Sequence, residues 1–177
     1  MANMKNWVQP EVTTKEIYDG FYPVVIAMSK LFDKKMEKDG VVTVRQTLAL
    51  TFKTLQEVPF PDKTQGKIVV EQEYYFDTSF HMNAVNGIAR ASGIPNFQDS
   101  NDFEAKTLMI GMINRHYESR DGEARTIAQM GTGLFSYAPL RENSQVEFAA
   151  TGLPEGYNED ELKDWFKTIV ARYKTPK

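Results

Sequence analysis

Hydrophobic residues in this chain come as short β-branched and aromatic runs separated by charged turns, and two stretches switch to a helical period. The first run, Phe21-Tyr22-Pro23-Val24-Val25-Ile26-Ala27-Met28, has the composition of a largely buried strand. Pro23 restricts that part of the backbone to an edge, a bulge or a strand start. A charged stretch, Lys30 to Lys38, leads into Asp39-Gly40. Val41 then opens a second run in which Val44, Leu48, Leu50 and Phe52 alternate with Arg45, Thr47, Thr51 and Lys53. Asp-Gly between two such runs predicts a tight hairpin, because both positions tolerate positive φ.

The Pro- and Gly-containing loop Val58 to Gly66 should interrupt the sheet, and Lys67 to Phe76 reads as a third strand. The period then changes: Ala84, Val85, Ile88, Ala89 and Ala91 fall on one helical face. Thr78 or Ser79 is placed to cap the start, Gly93 to end the helix, and Pro95 forbids continuation. Asp99 to Asp102 is a turn cluster. Lys106 to Tyr117, Asp121-Gly122 and Ala124 to Ala128 predict a second hairpin. Gly131, Gly133, Tyr137 and Pro139 mark irregular chain, and Val146 to Ala149 adds a short strand. At the end, Leu162, Trp165, Phe166, Ile169, Val170 and Tyr173 form one helical stripe, with Asn158 and Glu161 as a capping pair.

Five strands with a helix inserted between the third and fourth is the order of a five-stranded Greek-key barrel, the OB-fold. The expected class is therefore mainly β (α+β). It comprises an N-terminal arm at 1–19, in which Trp7-Val8 docks on the body, an OB-like barrel at 20–135, and an extension at 136–177 whose amphipathic helix packs on the barrel. An α+β sandwich is the competing arrangement.

Composition narrows the chemistry. At 177 residues the chain suits one domain, and it has no cysteine, which excludes disulfides, thiolate nucleophiles and cysteine-bound metals and fits a reducing cytoplasm. No run is long and apolar enough to cross a bilayer, and the polar N-terminus is not a signal peptide. The formal charge of −3 argues against indiscriminate binding to duplex nucleic acid but leaves room for a basic groove. Residues 1–141 carry 16 Lys and Arg against 17 Asp and Glu, so the barrel region is nearly balanced.

Catalytic signatures are missing: there is no phosphate-cradling Gly-Lys-Ser/Thr loop, dinucleotide fingerprint or nucleophile elbow. His81 and His116 lack metal-ligand spacing, and Glu71 and Glu73 read as the polar face of a strand. No enzyme activity, metal or cofactor is expected. What remains is aromatic residues near cations, the combination that holds single-stranded nucleic acid by base stacking and phosphate pairing. The candidates for phosphates are Lys30, Lys34, Lys35, Arg45, Lys53, Arg115 and Arg125. Phe32, Tyr74 or Tyr75, and Tyr117 are the candidates for stacking.

An ordered pattern runs through Gly20-Phe21-Tyr22-Pro23-Val24-Val25-Ile26, Leu48 to Phe52, Gly66-Lys67-Ile68-Val69, Gly93-Ile94-Pro95, Asn101 to Ile110, and Tyr117…Asp121-Gly122…Arg125-Thr126-Ile127. Over about two thirds of the chain it resembles a family of phage and prophage single-stranded DNA-binding proteins with an OB-like fold. The resemblance implies largely sequence-independent binding of single-stranded DNA, or RNA, in phage replication or recombination. It also implies replication or recombination proteins as partners. The alternative is a phage protein-interaction module, a host-factor inhibitor or a virion assembly protein, that uses Trp165 and Phe166 of the last helix. A homodimer contact is a further use of that helix.

Overall fold

The computed structural model describes residues 11–94, 96–130, 136–153 and 155–174; Trp7, Val8, Pro95, Gly131 and Gly133 lie outside them. Its centre is an antiparallel sheet. β1 (Gly20–Lys38) and β2 (Val41–Thr54) form a long hairpin. Asp39 and Gly40, at φ of 54° and 78°, make the left-handed two-residue turn that the sequence predicts. Two short strands, β3 (Val58–Pro59) and β4 (Gln65–Gly66), pair only with each other, so the proline loop does leave the main sheet. β5 (Val69–Tyr75) pairs with β2, β6 (Thr107–Glu118) with β1, and β7 (Ala124–Met130) with β6. The resulting order is β5-β2-β1-β6-β7.

The chain after β7 carries one correction and one expected strand. Tyr137 and Ala138 are not irregular; they form β8 and pair with β6. Glu147 and Phe148 form β9 and pair with Gly20 and Phe21 of β1. The segment expected to be an appended extension therefore contributes strands to the same sheet. The arm is similarly built in. The Thr13 N–H donates to the Val69 carbonyl, and its own carbonyl accepts from the Ala128 N–H, both at 2.9 Å. The Thr13 hydroxyl also accepts from the Val69 N–H. No ladder joins β5 to β7 among the described residues, and this one residue bridges the two edges.

Pairing assigns every side chain to a face. Tyr22, Val24, Ile26, Leu48, Leu50, Phe52, Val70, Leu108, Ile110 and Met112 point inward and form the main core with helix α1 (Ser79–Ala91). That helix ends in a Schellman turn: Gly93 has φ 77°, its N–H bonds the Arg90 carbonyl, and Ile94 reaches back to Ala89. Before β6 the chain makes a short 3₁₀ turn, Ser100–Phe103, closed by a reciprocal capping box between Asp99 and Asp102. Pro23 is tolerated inside β1 because the β2 ladder ends one step earlier, at Val24 opposite Thr54.

A second core lies on the outer face. A helical turn α2 (Ala149–Gly152) leads to α3 (Glu159–Lys174), whose stripe of Leu162, Phe166, Ile169 and Val170 packs on Phe21, Met109 and Ala138. The Asn158 side chain caps its start by accepting from the Glu161 N–H at 2.9 Å. Gly111 makes the close approach: a Cβ there would sit 3.1 Å from the Phe166 ring.

Candidate functional site

With α3 covering one end of the outer face, the other end stays open. Its residues come from β1, β2 and β5. The β1–β2 register slips between Ile26 and Met28, leaving Ala27 as a one-residue bulge. Beyond it, Lys30, Phe32 and Lys34 lie opposite Ala49, Thr47 and Arg45. Thr47 in turn lies opposite Tyr75, and Ala49 opposite Glu73. Strand alternation therefore puts Lys30, Phe32, Lys34, Arg45, Glu73 and Tyr75 on one face, with Lys53 further along it.

These groups are already bonded to one another. The Arg45 guanidinium lies 3.9 Å from the Tyr75 ring centre, and His81 stacks on Tyr75 at 5.1 Å with the rings 22° apart. The Tyr75 N–H donates to His81 Nδ1 at 2.8 Å, which fixes that nitrogen as an acceptor and gives His81 a structural task. Arg45 also donates to both carboxylate oxygens of Asp77 and to the Thr78 hydroxyl. Lys34 donates to Glu73 at 2.7 Å, and the Lys30 ammonium sits over Phe32 at 5.4 Å.

The electrostatics follow from these pairs. Hydrogen bonding to Asp77 raises the Arg45 pKa, and the same bond lowers that of Asp77. Hydrogen bonding to Glu73 likewise holds the Lys34 ammonium above its ordinary range. Each pair is exposed to solvent, so it adds little to stability. Among the described residues no ion pair involves Lys30 or Lys53. The face thus carries a mixture of paired and unpaired cations around two aromatic rings.

Not every predicted residue belongs to this face. Tyr74 is 4 % exposed and hydrogen-bonded to Tyr137 in the core, so it is not available for stacking, and Tyr75 is the ring of the two that lies on the open face. Lys35, opposite Val44, points to the other side of the ribbon. Arg115, Tyr117 and Arg125 lie in the second hairpin, whose tip runs past Gly20, whereas the β1–β2 ribbon extends from the opposite end of β1. They share one face there, with Tyr117 opposite Arg125, but form a separate patch. Arg125 is paired with Asp121 and Glu123.

Trp165 and Phe166 do not form a free interaction surface. Phe166 is 3 % exposed, its ring centre 5.8 Å from that of Phe21. Trp165 is half-buried against Phe166 and Gly152. Sequence reasoning placed Glu73 on the polar face of its strand but missed Asp77 and His81 as members of the open face. The signal was there in part, since Glu73 and Tyr75 are two apart on one strand. Asp77 and His81 enter only through the turn after β5.

The remaining chemistry is quiet. Among the described residues no group of three or more His, Asp or Glu side chains is placed to hold a metal, and no helix is long and apolar enough to cross a membrane. A cleft of about 610 Å³ lies between Thr54–Val58 and Leu140–Val146. Comparisons with protein-family models, with curated proteins and with solved structures returned no match.

Proposed function

We propose that this chain is a non-enzymatic, OB-like protein that binds single-stranded DNA, largely without sequence preference, across the open outer face of β1, β2 and β5. The observation that carries the reading is the placement of Lys30, Phe32, Lys34, Arg45 and Tyr75 on one sheet face that none of the described helices covers. Strand order supports it as well. Counting only the five long strands, the sheet runs third, second, first, fourth, fifth. That is the order of an OB barrel opened between its third and fifth strands, with Thr13 lying in the seam. In OB proteins the second and third strands carry the nucleic acid, and here those strands are β2 and β5.

Phosphates would run past Lys30, Lys34, Arg45 and Lys53, and bases would stack on Phe32 and Tyr75. Arg45 and Lys34 must exchange a carboxylate for a phosphate, so affinity is expected to be modest. The test is fluorescence anisotropy with labelled oligonucleotides across a salt series. Four cations predict a log–log slope of about −3, from roughly 0.7 per phosphate neutralised on a single strand. A slope of about −4 would bring the second hairpin into the site, and no affinity at low salt would refute the reading. Parallel titrations with DNA and RNA of one sequence measure the preference between them.

A further inference from the structure

The β1–β2 ribbon extends well beyond the sheet. The β6 ladder on β1 stops at Val25, and the β5 ladder on β2 begins at Thr47, so the residues between pair only with each other. An isolated two-stranded ribbon is marginal in water, and its open edges invite pairing. The two edges differ. That of β1 carries Lys30, Lys34, Lys35 and Lys38, the usual device for discouraging strand addition. That of β2 carries Val41, Val42, Thr43 and Val44, uncharged and β-branched, with the three valines 55–64 % exposed.

The hydrogen-bond parity of that edge is fixed. Val41 closes the two-residue turn opposite Lys38, so Val41, Thr43 and Arg45 direct their backbone groups toward β1. Val42 and Val44 direct theirs outward. Gln46, next in the same series, accepts the Phe76 N–H at 3.1 Å, which agrees with this parity and marks where cover begins.

We propose that the β2 edge pairs antiparallel with the β2 edge of a second copy of the chain, about a two-fold axis through Thr43. In that register Val42 faces Val44 of the second copy, and both are outward-directed residues. The two crossings form four main-chain hydrogen bonds, and Thr43 faces its own symmetry mate. Charges fall in compatible places. Each row on the inner ribbon face reads Glu37, Val42, then Val44 and Lys35 of the second copy, so four valines form a strip flanked by opposite charges. The equivalent pairing of β1 edges about Lys34 would set Lys34 against itself and Lys30 against Lys38. This proposal stands apart from nucleic-acid binding and does not depend on it.

The chain has no cysteine, which allows a direct test. Facing Cα atoms in a non-hydrogen-bonded antiparallel pair are about 4.5 Å apart, within disulfide range. Thr43→Cys in the full chain should therefore form a covalent dimer under mild oxidation, whereas Val41→Cys, which faces Arg45 of the second copy, should not. Sedimentation velocity of the unmodified chain should show a concentration-dependent dimer. Val42→Pro removes an outward N–H and leaves the β1–β2 ladder intact. Two of the four bonds would be lost, weakening the dimer at least about tenfold; Val44→Lys should do the same by placing charge at the strip. A chain that stays monomeric at every concentration would overturn the proposal. So would a dimer insensitive to both variants, or equal cross-linking at positions 43 and 41.

Discussion

One face of one strand has two different fates. At its start, Phe21 lies under α3 with Phe166, Met109 and Ala138, and the surface is closed. Past the Ala27 bulge, Lys30, Phe32 and Lys34 continue the same face, and among the described residues nothing packs on them but their own neighbours. The covered half has an all-apolar strand surface with Gly111 as the recess that lets a ring approach. The open half alternates cations and rings that are held by ion pairs. A helix could cover the second half only by desolvating Lys30, Lys34 and Arg45, which costs more than its apolar stripe would return. The division between covered and open surface is thus set by which side chains follow the bulge.

The largest test of that division is Phe166→Ala. It removes the ring that fills the space over Gly111, and it should cost about 3–5 kcal/mol of unfolding free energy in urea titration. Under conditions where the variant remains folded, its affinity for single-stranded DNA should match that of the unmodified chain. A matching loss of affinity would mean that the covered and open halves are not separable.

How much of this was legible beforehand depends on the kind of signal. The Asp39-Gly40 turn and the α3 stripe follow from local rules, because φ preference and helical period need no knowledge of neighbours. The choice between Tyr74 and Tyr75 does not. Adjacent strand residues take opposite faces, and only the pairing of Tyr74 with Leu48 decides which one is buried. The bulge hides a further relation. By simple alternation Phe21 and Phe32 fall on opposite faces, but the extra residue at Ala27 returns them to the same one. Thr13 was equally illegible, because a single bridging residue leaves no period in the sequence.

Arg45→Ala probes the open half with a smaller effect. It removes one phosphate partner and the group lying over Tyr75. The log–log salt slope should shrink by about 0.7, and affinity should fall roughly tenfold. Stability should change little, since the pair with Asp77 is surface-exposed. An unchanged slope would place the nucleic acid elsewhere, with the Arg115, Tyr117 and Arg125 patch as the next candidate.

Asp77→Asn should have the smallest effect and the opposite sign. Asp77 now holds Arg45 by two oxygens and competes with any phosphate for it. Neutralising the carboxylate leaves the guanidinium in place over Tyr75 but releases its charge, so affinity should rise a few-fold rather than fall. The same variant isolates one contribution to acid stability. Because hydrogen bonding to Arg45 lowers the Asp77 pKa in the folded chain, its stabilisation is fully present above the ordinary value of 3.8. It is lost as pH falls below that value through the lowered folded one. The Asn variant should lack that part of the acid dependence and show slightly lower stability at neutral pH. If affinity drops instead, Asp77 serves to orient Arg45 for the strand rather than to compete with it, and the open half is a preorganised site whose acids belong to the binding machinery.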